Sequence, residues 1–61
     1  DYIKFLLDNH NEKIRKARKK LKLTIQQFGE LLGVSDTSVR RWEHGHHQIS
    51  RKKYERLKDF I

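Results

Sequence analysis

Apolar side chains recur along the chain at helical rather than strand spacing. Ile14, Ala17 and Leu21 follow an i, i+3, i+7 pattern; Phe28, Leu31 and Leu32 share one face; Val39 and Trp42 form a shorter stripe; Tyr54, Leu57 and Ile61 repeat the first spacing. A period near 3.6 residues puts each set on one side of a helix, and the pattern predicts four of them. The first seven residues, DYIKFLL, are too densely apolar for a clean stripe, although Ile3, Leu6 and Leu7 fit a short fifth helix. Asp8, Asn9, His10 and Asn11 are poor helix formers that suit caps and turns, which predicts a break there. The competing reading is one helix from Tyr2 to Leu21, because positions 3, 7, 10, 14, 17 and 21 keep a near-heptad spacing.

Local chemistry sharpens the boundaries. Thr24 can cap a helix, with Gln27 at its third position completing a capping box. Gly29 falls inside that helix at a cost of about 1 kcal/mol relative to Ala, which predicts close approach of another backbone, read as a crossing helix. Gly33 suits the left-handed residue that ends a helix, and Ser35 caps the next, with Asp36 at the positive end of its dipole. Gly45 ends that second helix. His46, His47 and Gln48 form a polar connector, Ile49 an anchor, and Ser50 the cap of a last helix from Arg51 to about Phe60. Two helices separated by about three residues have the spacing of a helix-turn-helix. The expectation is an all-α fold, a small bundle of four to five helices. Residues 1–10 form an amino-terminal extension or short helix and residues 11–61 a helix-turn-helix domain.

Size and composition narrow the function classes. A chain of 61 residues makes one domain with a core of about ten side chains. Without cysteine it has neither a disulfide framework nor a thiolate metal site. His10, His44, His46 and His47 show no metal-ligand pattern, and no nucleophile, base and orienting group fall at a catalytic spacing. Neither an enzyme nor a cofactor or metal site is expected. The balance of 15 Lys and Arg against 8 Asp and Glu gives a net charge of +7. Lys13, Arg15, Lys16, Arg18, Lys19, Lys20 and Lys22 are concentrated in one stretch. Such a field favours nucleic acid or an anionic surface. The longest apolar run, Phe5 to Leu7, is far short of the roughly 20 residues of a membrane span, and no signal-peptide core is present. The first residue is Asp, which reads as a fragment or a processed product of something longer.

With Val39 and Trp42 turned inward, the second helix of the pair, about Ser35 to His44, is left with a polar outer surface. A duplex major groove about 12 Å wide admits one helix and presents distinct donor and acceptor patterns. Arg41 can pair bidentately with a guanine, Thr37 and Ser38 can bond bases or phosphates, and Asp36 can accept from cytosine or serve the helix dipole. Gln26 and Gln27, at a helix amino terminus, are expected to hold the backbone of one strand, flanked by Lys22, Arg40, His46 and His47.

The segments IRKARKKLKLT, QQFGELLGVS and SVRRWEHG together resemble the phage repressor and Cro-like, or Xre, helix-turn-helix family. The resemblance runs from about Glu12 to Leu57. It implies a lambda-repressor-like fold, a partly buried salt bridge between Arg18 and Glu43, base-reading positions at Asp36, Thr37 and Arg41, and a backbone-contacting loop after Gly45. There are departures. Ile25 stands where the family has a phosphate-holding Gln, with Gln26 one residue later; Lys22 replaces a usual glycine and Gly29 a common alanine. The implied function is sequence-specific binding of double-stranded DNA by a cytoplasmic transcriptional regulator or repressor, as a homodimer or attached to a larger chain. The alternatives are an antitoxin, an adaptor or a targeting domain acting through protein contacts, or a basic helix lying on acidic lipid.

Overall fold

Side-chain caps set where four of the five helices begin. Asp1 accepts from the Lys4 amide at the start of α1 (Tyr2–Leu7), Thr24 from Gln27 at the start of α3 (Ile25–Leu32), Ser35 from Ser38 at α4 (Asp36–Glu43), and Ser50 from Lys53 at α5 (Arg51–Lys58). At Thr24 the capping box is complete, with the Gln27 side chain accepting in return from the Thr24 amide at 2.9 Å. Only α2 (His10–Lys20) starts without a side-chain cap, from an Asn9 in the left-handed conformation, φ 54°. This computed structural model describes all residues 1–61, and no strand is present.

Three helices end in the same way. A residue at positive φ, Lys22 (59°), Gly33 (74°) or Gly45 (78°), turns the chain. The next amide reaches back to a carbonyl five residues earlier: Leu23 to Arg18, Val34 to Gly29 and His46 to Arg41, at 3.2, 2.8 and 2.9 Å. This is the Schellman arrangement, which satisfies carbonyls the helix itself leaves unpaired.

Phe5, Ile14, Ala17, Phe28, Leu32, Val39, Trp42, Ile49, Tyr54 and Leu57 form one buried core drawn from every helix and from the connector before α5. Leu21, Ile25 and Val34 pack on it half-buried. The Tyr2 hydroxyl donates to the Ile49 carbonyl at 2.7 Å. Phe5 and Tyr2 lie against Tyr54, with ring centroids 4.8 and 5.4 Å apart.

Several expectations are corrected. The break at Asp8 and Asn9 rules out one continuous first helix, and His10 opens α2 instead of belonging to the turn. The inward side of α1 is made by Phe5 with Tyr2 and Leu6 half-buried beside it, and not by Ile3 and Leu7. Phe5 is buried, while Ile3 and Leu7 are 59% and 82% exposed, because the tilted packing of Phe5 and Tyr2 on Tyr54 sets the rotation of α1. Ile61 is 52% exposed; α5 ends at Lys58, and the Phe60 amide turns back to the Leu57 carbonyl, so the helical spacing does not reach Ile61. The backbone crowding Gly29 is the following turn and not a crossing helix: a methyl group there would meet the Val34 carbonyl oxygen at 2.7 Å.

Candidate nucleic-acid interface

The rotation of α4 is fixed by what it buries. Val39, Trp42 and Glu43 face the core side. At 100° per residue, Thr37 and Arg41 lie about 160° and 200° around the axis from Val39, at the opposite pole. Both are exposed. On one flank Arg40 Nη2 lies 3.7 Å from Asp36 Oδ2, an exposed pair one turn apart that leaves both groups near the surface. On the other flank Ser38 is half-buried. Its amide donates to Ser35 Oγ, and the two hydroxyl oxygens lie 3.2 Å apart, so Ser38 supports the cap.

The carboxyl end of α4 is tied to α2. Glu43 is only 4% exposed. Arg18 holds its carboxylate bidentately with one edge of the guanidinium, Nε donating to Oε2 at 2.7 Å and Nη2 to Oε1 at 3.2 Å. Its remaining nitrogen, Nη1, donates to the Leu23 carbonyl at 3.1 Å, binding the α2–α3 connector into the same knot. A buried carboxylate needs such compensation, since its desolvation costs several kcal/mol. With one end clamped and the other capped, α4 presents Thr37 and Arg41 from a fixed axis.

The amino terminus of α3 carries the next group of expected residues. Ile25, the first residue of that helix, packs half-buried on the core, which turns Gln26 outward by about 100°. Gln27 gives its carbonyl oxygen to the capping box, leaving the side-chain NH2 free to donate. Lys22 is exposed at the left-handed end of α2, and His46 and His47 are exposed after Gly45, their amides donating to the Arg41 carbonyl.

A sequence model of the helix-turn-helix family matches residues 14–59. The chain belongs to the Xre, lambda-repressor-like helix-turn-helix family. No curated protein and no solved structure matches it. The helix-turn-helix family is one of DNA-binding domains that are not normally enzymatic. In this helix-turn-helix chain the matched span begins at Ile14, the first fully buried residue of α2, and includes α3, α4 and α5. No helix is long and apolar enough to cross a membrane. No three His, Cys, Asp or Glu residues gather where a metal ion could be held.

Sequence reasoning missed two arginines that hold the helix-turn-helix. Arg15 Nη2 donates to the Glu43 carbonyl at 3.0 Å, and its Nε lies 3.6 Å from Glu43 Oε1. The available signal was its position one turn before Arg18, hidden among the neighbouring lysines. Arg56 Nε donates to the Leu31 carbonyl at 2.8 Å and joins α5 to the end of α3. No sequence signal separates Arg56 from the other exposed cations of α5.

Proposed function

We propose that this chain is a sequence-specific reader of double-stranded DNA acting as a transcriptional regulator, with α4 lying in the major groove. A helix with its side chains is about 10–12 Å across and the groove about 12 Å wide, so α4 enters with one face toward the base edges. The observation that carries this reading is the pole formed by Thr37 and Arg41. They are exposed, one turn apart, opposite the buried side of a helix whose two ends are fixed.

In this reading Arg41 pairs with a guanine, Thr37 bonds a neighbouring base, and Asp36 accepts from cytosine N4 while restraining Arg40. Ser38 contributes mainly through the cap it shares with Ser35, reaching DNA only at the edge of the contact. Gln26 replaces the family's clamp residue: with Ile25 anchored in the core, Gln26 and the free amide of Gln27 donate to phosphate at the amino terminus of α3. Lys22, Arg40, His46 and His47 flank the contact on the backbone.

Selection of bound duplexes from a random library is the test. A defined motif several base pairs long, bound in preference to random duplex, is the expected outcome. Recovery of unselected sequence, with affinity equal for every duplex, would reduce the chain to a non-specific polycation and overturn the proposal.

A further inference from the structure

The basic residues of α2 divide into two sets that face different ways. Arg15 and Arg18 turn toward Glu43 and are used there. Lys13, Lys16 and Lys20, at i, i+3 and i+7, line the opposite edge, beside α1 and the end of the chain. There they surround a cleft of about 310 Å³ whose other walls are Phe5, Ala17 and Ile61. Lys13 is partly committed, with Nζ 3.3 Å from Asp8 Oδ2 and 5.4 Å from the centre of the Phe5 ring. Lys16 and Lys20 are exposed and pair with no carboxylate of the chain. No residue of α3 or α4 reaches this cleft.

Uncompensated cations around an apolar floor select a ligand with both characters. A nucleic-acid backbone matches the charge and leaves the floor exposed to water. A second copy of the chain brings its own charge of +7 against the same lysines. An acidic amphipathic helix satisfies both requirements: an apolar side chain packs on Ile61 and on the small edges of Phe5 and Ala17 that the cleft leaves open, while carboxylates one turn apart match Lys16 and Lys20. We propose that the α1–α2 cleft docks an acidic amphipathic helix of a partner protein, on a surface separate from the DNA-reading face.

The probe is a fluorescein-labelled 15-residue peptide built from Glu, Ala and Leu with two leucines one turn apart, titrated into the 15N-labelled chain. Amide shifts are expected at Phe5, Lys13, Lys16, Ala17 and Lys20 and not along α4. The K16Q/K20Q variant, changed only at exposed positions, should lose at least tenfold in peptide affinity with an unchanged melting temperature. A short duplex should bind together with the peptide. Several results would overturn the proposal: no binding at millimolar peptide, equal binding of a peptide with Gln for Glu or with Ala for Leu, displacement by the duplex, or shifts centred on α3 and α4. So would concentration-dependent shifts at the same residues without peptide, which would assign the cleft to self-association. K16Q/K20Q-sensitive sedimentation with phosphatidylglycerol vesicles, in the absence of peptide binding, would assign it to a lipid surface.

Discussion

Lys22 occupies a backbone position that favours glycine and a surface position that favours a cation. Its φ of 59° ends α2, and a residue with a Cβ is disfavoured there by roughly 1–2 kcal/mol. Lys22→Gly removes that strain while adding chain entropy to the unfolded state. A net gain of about 1 kcal/mol is expected, read as a rise of roughly 4–8 °C in melting temperature. The same change removes a phosphate contact in the proposed complex, so duplex affinity should fall as stability rises. A variant that gains stability and keeps its full affinity would show that Lys22 touches no phosphate. Arg41 and Gln26 separate in another way. Arg41→Ala is expected to cost about 1–3 kcal/mol and to relax preference at one base pair, whereas Gln26→Ala should weaken all duplexes alike. If the two variants gave the same profile across a panel of single-base substitutions, the assigned rotation of α4 would be wrong.

Among the elements, the joint between α2 and α4 holds α4 in place, and its two arginines are unequal. Arg18 is mostly buried and bidentate on Glu43, while Arg15 is more exposed and longer at 3.6 Å. Arg18→Ala strands most of a buried charge and is expected to cost toward the lower end of about 3–5 kcal/mol, since Arg15 remains beside it. Arg15→Ala should cost about 1 kcal/mol or less, as a partly exposed pair does. Thermal melts that reversed this order would place the compensation of Glu43 elsewhere. Much of this element-level design was legible in the sequence because capping is local: Thr24 with Gln27, Ser35, Ser50, Gly33 and Gly45 each act within a few residues. The rotation of α1 was not legible. It depends on Phe5 and Tyr2 meeting Tyr54 from the far end of the chain, and nothing in DYIKFLL ranks Phe5 above Ile3 or Leu7. Ile25 became interpretable only with its packing known, since sequence alone leaves open whether it faces a partner or its own core.

Across the whole molecule the charges are arranged by face, and salt dependence can test that arrangement. With a net charge of +7 on a body about 25 × 23 × 19 Å, any duplex is attracted over a distance comparable to the Debye length of about 8–10 Å. Attraction at a distance differs from contact. Only neutralised phosphates release condensed counterions, and the logarithm of the binding constant falls against the logarithm of salt concentration with slope about −0.9 per phosphate. In the proposed orientation the cations on phosphate are Lys22 and Arg40, with Arg41 on a base, while Lys13, Lys16 and Lys20 line a different cleft and Arg15 and Arg18 are held on Glu43. A slope of about −2 is therefore expected at neutral pH, and K16Q/K20Q should leave it unchanged although it lowers the net charge. A slope steeper than about −6, or one that flattens in K16Q/K20Q, would mean that the lysines of α2 also lie on phosphate. The chain would then wrap the duplex with two faces, and the cleft beside Phe5 could not serve a partner while DNA is bound.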